Sequence, residues 1–517
     1  MSSTIDGLLI GFESALTLEL LLAAFVGALV GTLVGLLPGL GSVAGAALVL
    51  PLVYVMEPTA ALVVIAAVYA GTMYGGSTTS VLMNMPGEAS AVVATFDGFP
   101  MTQKGRAGAA LSVMAVGSFI AGTIALVLVT LLAPVLARSA FAFGPAEYFA
   151  LTVGGLLVLA RLGGGTPMAG FLPMIFGVVL ATFGQEAISG NFRFTFGIPE
   201  MALGFGIVPI AVGVYGLSEL MTSLEDRTPG GRRPVVPRFR ELWPNRQEWR
   251  RSWAPWGRGS LVGFLFGLLP GPSATMSTFV SYKIEKSVSK HRKELGTGAV
   301  EGIAAPEAAN NSASLSSLIP VLSLGIPFSA TLAVMIAAMI TMGVQPGPLL
   351  VEQRPDIFWG VIVSLYVANI MLLILNLPLV GVWVSILRIP QKFLIPGILT
   401  IAIIGSYSVR GAMLDIYVLL VAGIIGYFLR KLDFSMASLI LGLVLGPLIE
   451  KHFREGLFLS GGDLGYFVST PISIAVWVAV VLALIGGAVA GHRSRRRLAA
   501  QHPTEESAPA VTVDDRR

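Results

Sequence analysis

Apolar positions along this chain come in long runs that do not alternate with polar ones. The stretch LSVMAVGSFIAGTIALVLVTLLAPVLA, residues 111–137, is typical. Such runs exceed the roughly 20 apolar residues that carry a helix across a bilayer. They lack the two-residue alternation of a membrane β-barrel strand. The pattern predicts an all-α polytopic membrane protein. Spans are expected near 60–86, 107–137, 146–162, 166–185 and 198–220, then near 297–326, 356–387, 393–409, 411–429, 434–450 and 466–490. Twice the apolar pattern is cut by the same five residues, in GTLVGLLPGLGS (31–42) and GFLFGLLPGPSA (263–274). Proline breaks a helix, and non-helical backbone at membrane depth survives only when buried in protein or lining a watery cavity. Each Pro-Gly pair is therefore expected at the tip of a re-entrant hairpin, with Gly39 and Gly271 facing a ligand.

Charge decides how the second copy sits. Nine Arg fall in 225–258, and four Lys with one Arg in 283–294; RIPQK (388–392), RK (430–431) and HRSRRR (492–497) follow. The positive-inside rule places all five segments in the cytoplasm. Residues 259–282 between the first two are too few for two crossings, which need about 40 residues, so a hairpin with arms of about 12 residues is expected there. The first copy, flanked by Glu19 and Glu57, reads as its mirror image or as two thin spans, with both ends outside. Each half is then a hairpin plus about five transmembrane helices, with one extra C-terminal helix. An odd number of crossings inverts the second repeat relative to the first, as in many secondary transporters. The expected organisation is a first membrane repeat over 1–224, a cytoplasmic Arg/Trp-rich linker over 225–258, a second membrane repeat with the extra helix over 259–490, and a disordered cytoplasmic tail over 491–517. The N-terminus is expected in the periplasm. The linker's Trp243, Trp249, Trp253 and Trp256 suggest either a helix on the inner membrane surface or a solvated linker.

Composition narrows the chemistry. The 517 residues are 55% apolar and 12% charged, with a mean hydropathy of +0.81, against about 25% charged residues in a soluble protein. Asp6, Glu13 and Glu19 stand where a cleaved signal peptide would be basic. The net charge of +4 records orientation, and no nucleic-acid partner is expected. There is no Cys, and the four His (His291, His452, His492, His502) and all eight Lys lie outside the expected spans. An intramembrane enzyme would lack its parts, so neither catalysis nor a cofactor is expected.

Two polar clusters interrupt the apolar spans. In YGGSTTSVLMNMPGEAS (74–90), Gly75 and Gly76 allow close backbone approach. Ser77, Thr78, Thr79 and Ser80 supply hydroxyls, Asn84 an amide, and Pro86-Gly87 stops the helix. The alternative is that these hydroxyls bond their own helix carbonyls. In EGIAAPEAANNSASLSSLIPVLSLGIP (301–327), Glu307, Asn310, Asn311 and Ser312 follow Pro306. An ionisable group in a span is costly and marks function. Free N–H groups at broken helices would meet an anion, and Glu307 with Asn310 and Asn311 would hold Na⁺ or carry a proton.

These residues resemble the large permease subunit of tripartite tricarboxylate transporters, the TctA family. The likeness rests on GLLPGLG, YGGSTTSVLMNMPGEASAVVATFDGFPMTQKGRAG, NFRFTFGIP, GLLPGPSAT, PEAANNSA, LSLGIP and GYFLRKLDFSMASLILGLVLGPLIE. It implies a bacterial inner-membrane permease for di- or tricarboxylates, coupled to a cation and kin to elevator-type transporters. Its partners would be a small TctB-like membrane subunit and a periplasmic TctC-like solute-binding protein. The family's motifs fall on Gly75 to Ser80, Pro86, Gly87, Asp97, Glu307, Asn310 and Asn311. The chain departs from the pattern at Phe328, where Gly is expected after Pro327, and at Glu186, where Asp is expected. A permease for another small organic acid or anion is the alternative.

Overall fold

The structure is a computed structural model that describes residues 4–37, 40–162, 166–186, 190–225, 239–386 and 391–501. Gly39 and residues 502–517 of the tail lie outside them, whereas 491–501, expected to be disordered, continue a helix. The chain runs through α1 (Thr4–Ala15), α2 (Leu18–Leu36), α3 (Gly41–Val53), α4 (Pro58–Met83), α5 (Ala94–Gln103), α6 (Ala107–Ala140), α7 (Pro145–Leu162) and α8 (Pro167–Leu180). A two-stranded antiparallel ribbon, Gly184–Gln185 against Phe192–Arg193, precedes α9 (Ile207–Ala211), which continues through a π-helical stretch, Val212–Leu217, into α10 (Ser218–Glu225). Then come α11 (Arg246–Gly267), α12 (Ser273–Val288), α13 (Glu301–Ser316), α14 (Leu318–Leu324), α15 (Ala330–Thr341), α16 (Leu349–Gln353) and α17 (Pro355–Asn376). The last are α18 (Val380–Ile386), α19 (Gln391–Arg410), α20 (Met413–Lys431), α21 (Met436–Leu459) and α22 (Pro471–Gln501). Among the described residues, seven helices are long and apolar enough to cross a bilayer. This is a multi-pass, all-α membrane protein.

Glycine places the central helices. Gly27, Gly31 and Gly35 recur every four residues along one face of α2 and lie on the backbone of Val64, Val68 and Thr72 in α4. Gly259, Gly263 and Gly267 do the same for α11 on Ala305, Ala309 and Ala313 in α13. Such small-residue faces let membrane helices meet backbone to backbone. Both pairs run parallel, so α3 and α12 are return arms, and the chain folds back between α2 and α3 and between α11 and α12. Arg258 donates to both oxygens of the buried Glu285, at 2.6 and 2.9 Å, which holds the two arms of the second hairpin level.

Helices α4 and α13 run in opposite directions. Thr59 of α4 meets Gly360 of α17 and Tyr74 meets Asn369, so α4 and α17 are parallel. Asn369 also bonds Thr123, and Tyr366 bonds Thr130, so α6 is antiparallel to both. Asn311 bonds Ser118 and Ser323 bonds the Ala133 carbonyl, so α13 and α14 run with α6, against α4. Every residue of α13 is buried, as is nearly all of α4. Outward faces such as Val421, Ile424 and Phe428 of α20 are apolar and exposed, as lipid contact demands.

Two expectations are corrected. The second hairpin has arms of 22 and 16 residues, not about 12. The tryptophan segment is its first arm: Asn245 and Glu248 form a capping box that starts α11, and Trp256 is buried against Gly117. Residues 246–256 are thus continuous with the hairpin arm and not a separate linker, with Trp253 exposed on this helix. The regions 94–103 and 330–341, outside every expected span, form α5 and α15, the latter buried from Ala330 to Met339. Both helices are too short to register as spans.

Replacing Gly263 with Ala should lower thermal stability in detergent by about 1–3 kcal/mol, because a Cβ there overlaps the Ala309 carbonyl. Gly257→Ala, in the same helix with open space beside it, should leave the melting temperature unchanged.

Candidate functional site

Both central helices are stopped in the same way. At the end of α4, Asn84 adopts the left-handed conformation (φ 59°), and Pro86 follows two residues later. At the end of α14, Gly325 does so (φ 70°), and Pro327 follows. The next residues, Glu88 and Ser329, therefore occupy matching places after the break. Gly87 passes so close to Gly35 and Gly76 that a side chain would collide with backbone, which explains a glycine there. Phe328 accepts a 3.4 Å bond through its carbonyl from Gly271 N–H, joining the second break to the second hairpin tip.

These interruptions converge on one cavity of about 170 Å³. Its wall is made of Ser42 and Val43 from the start of α3, Glu88 and Ser90 after the first break, Gly271–Thr275 at the second tip, Ser329–Thr331 after the second break, and Ser435 and Ser438 at the start of α21. Tyr69 and Met73 of α4 close one side. Helices α3, α12, α15 and α21 all present their N-terminal ends to this space. The positive ends of four helix dipoles face this space, and its wall holds no Lys or Arg, an arrangement chemically able to receive an anion. Hydroxyls complete the lining. Glu88 Oε2 accepts from Ser42 N–H at 2.8 Å and Oε1 from Ser42 Oγ at 2.7 Å, while Ser42 Oγ lies 3.0 Å from Thr331 Oγ1.

One helical turn along α4 from Met73, about 6 Å, lies a second polar node. Ser77 Oγ donates to Glu307 Oε1 at 2.6 Å, bridging α4 and α13. Glu307 is fully buried; its Oε2 makes no hydrogen bond to any described residue, and neither does the side-chain amide of the equally buried Asn310. A buried polar group without a partner is costly. Three such atoms within one turn of α13 form an oxygen-rich place suited to a cation or a proton. Among the described residues no cluster of three or more His, Cys, Asp or Glu side chains resembles a dedicated metal site.

The expected site residues divide accordingly. Gly271 lines the first cavity, and Ser77, Glu307 and Asn310 form the second node. Asn311 donates to Ser118 Oγ at 2.7 Å, and Ser312 to the Ser260 carbonyl at 2.7 Å, so both tie helices together. Thr78 donates to the Tyr74 carbonyl, and Thr79 and Ser80 to that of Gly76, the helix-internal pattern. Gly75 packs on the α2 backbone and Gly76 on the loop at Gly87 and Glu88. Asn84 is an exposed helix cap. Pro86 and Gly87 line a neighbouring cavity of about 350 Å³ that also reaches Tyr215 and Arg430. Glu88, Ser42, Ser329, Thr331, Ser435 and Ser438 escape a motif search. The signal for three of them, Glu88, Ser329 and Thr331, was present in the match between NMPGEAS (84–90) and GIPFSAT (325–331), which aligns the two breaks.

Asp97, carried over from the family motif, does not touch either polar site. It is fully buried in α5 and accepts from the N–H groups of Gly296, Gly298 and Ala299 and from Tyr282 O–H, at 2.7 to 3.0 Å. It thereby clamps the loop that enters α13 onto the first half of the chain. Glu186, the other departure, packs beside the ribbon and sits 3.6 Å from Arg454.

The profile of the tripartite tricarboxylate transporter TctA family matches residues 21–441. An uncharacterized 52.8 kDa protein in the TAR-I ttuC' 3' region of Agrobacterium vitis is 43% identical over 489 residues, 94% of this chain and 97% of that protein. An uncharacterized protein in the TAR-II ttuC' 3' region of the same organism is 44% identical over 227 residues, 43% of this chain and 94% of that protein. No solved structure matches.

Asp97→Ala should cost about 3 kcal/mol or more, since several buried N–H groups lose their acceptor at about 1–3 kcal/mol each. Thermal unfolding measures the loss, and hydrogen exchange should localise it to residues 296–299.

Proposed function

We propose that this chain, which belongs to the tripartite tricarboxylate transporter TctA family, imports di- or tricarboxylates by binding-protein-dependent, cation-coupled secondary transport. The observation that carries the reading is the cavity where both hairpins and both helix breaks meet, with helix N-termini and hydroxyls in its wall. A small carboxylate would be held there by backbone N–H groups and by Ser and Thr side chains. Its coupling ion, Na⁺ or H⁺, would be held by Glu307 and Asn310, with Ser77 fixing the Glu307 carboxylate one turn away.

The same reading takes the two units as inverted repeats. The matched glycine faces on α2 and α11, the left-handed stops at Asn84 and Gly325, and the opposed directions of α4 and α13 support it. Such a pair permits alternating access around a fixed midplane site, and an elevator-type movement is one way to achieve it. The basic segments orient the chain in a bacterial inner membrane with the linker in the cytoplasm and the N-terminus in the periplasm. A TctB-like small subunit and a TctC-like periplasmic binding protein would complete the machine, and the binding protein would set much of the substrate choice.

Reconstituted with its binding protein and small subunit in liposomes, the wild-type chain should accumulate labelled citrate or succinate under an imposed Na⁺ or H⁺ gradient. Absence of ion-driven uptake of any di- or tricarboxylate would refute the reading. Glu307→Gln should stay inserted yet lose all gradient dependence. Ser77→Ala and Asn310→Ala should each raise the half-saturating ion concentration about tenfold, the loss of one hydrogen bond to a charged group.

A further inference from the structure

Glu88 stands in the partition between two spaces. The inner cavity of about 170 Å³ and the outer one of about 350 Å³ share three wall residues, Ser42, Val43 and Glu88. Both carboxylate oxygens of Glu88 are engaged by Ser42, one by its N–H and one by its hydroxyl. Ser42 spends its only hydroxyl proton on Glu88, so Thr331 must be the donor in the 3.0 Å Ser42–Thr331 pair. A chain of donors from the second half thus ends on this carboxylate. Gly41, at φ +67°, leaves the approach open: a side chain there would meet Glu88 Oε2. The matching residue after the other break, Ser329, is neutral, so only one of the two breaks carries a negative charge into the site.

The charged and titratable groups around Glu88 are few. Tyr69 lines the inner cavity, and Tyr215 and Arg430 the outer one. Arg430 is ion-paired with Glu219 and makes no hydrogen bond to Glu88 that would neutralise it. Glu88 is therefore held by the same kind of neutral donors that a bound carboxylate would use. Two carboxylates cannot share one pair of donors, because like charges at that distance repel strongly.

We propose that Glu88 is an internal stand-in for the ligand's carboxylate. It occupies the Ser42 donors and closes the partition, and an incoming carboxylate takes those donors by displacing it toward the outer cavity, where Arg430 and Tyr215 lie. The idea rests on the carboxylate reading above. It makes Glu88 a determinant of affinity by competition rather than a ligand of the substrate.

The full chain has no native Cys, so Val43→Cys, in the shared wall, gives a single reporter. The rate of its reaction with an uncharged methanethiosulfonate is measured against rising citrate and, separately, succinate. In an added Glu88→Gln variant the concentration giving half-protection should fall about tenfold. Adding Ser42→Ala to that Glu88→Gln chain should raise it again about tenfold, because with the competitor gone the ligand alone loses the donor. If Glu88 were a structural cap, both variants would weaken protection; if it repelled anions only from a distance, Ser42→Ala would change nothing. Either pattern overturns the proposal, as does protection absent from both the reporter chain and its Glu88→Gln form. Uptake by the wild-type chain judges the transport reading separately, so the two can fail independently.

Discussion

The close approach of backbone to backbone along α2 with α4 and α11 with α13 is the constraint on which the rest of the structure depends. A Pro-Gly break inside an apolar layer frees N–H and carbonyl groups that lipid cannot satisfy. The break is tolerable only if protein surrounds it. The glycine faces supply that shelter: with no side chains between them, the first arm of each hairpin lies flat on the helix that follows, and the tip is carried into the centre of the molecule. Every group of the candidate site is positioned by this packing. Were the arms held apart by ordinary side chains, the ends of α12 and α15 would not meet and the cavity at Gly271 and Ser329 would not exist.

Opposed direction then does a second job. Because α13 and α14 run against α4, both breaks and the second hairpin tip reach one level, and four helix N-termini share a space. The positive potential of the site comes from this convergence. It requires no buried Lys or Arg, which would be expensive to desolvate. The two halves then differ where chemistry demands it. Glu88 is the carboxylate in the cavity wall and Glu307 that of the node beside it, while the residue matching Glu88 after the second break is the neutral Ser329.

Buried ion pairs confine movement as well as charge. Arg258 with Glu285 closes the open end of the second hairpin, and Arg251 with Glu301 fixes the start of α13. Asp97 ties the loop before α13 to α5. Hairpin, following helix and the loop between them are thereby one rigid piece in the second unit. In the first, hydrogen bonds from Ser42 to Glu88 take that place. Rigid pieces meeting at a polar seam are what alternating access would need.

The sequence alone determined a good deal of this. Apolar runs and charge placement gave the all-α class and most span positions, and the repeated GLLPG gave the two returns of the chain, because hydropathy and proline act locally whatever the partner. The glycine spacing in GALVGTLVG and GSLVGFLFG was also readable as a packing face. Tertiary structure alone decided which polar residues line the cavity and which meet at the buried node. Ser77 and Thr78 are neighbours of similar chemistry, yet a rotation of about 100° per residue sends one to Glu307 and the other back to its own helix. Ser42, Glu88, Ser329 and Ser435 are far apart in the chain and share no motif; they meet because four helices end at one depth. The same holds for the tryptophan segment. Its composition did not show that its helix runs on into the hairpin arm or that Trp256 packs on Gly117. Local composition records what a segment tolerates, and only the packing of distant segments fixes what each side chain touches.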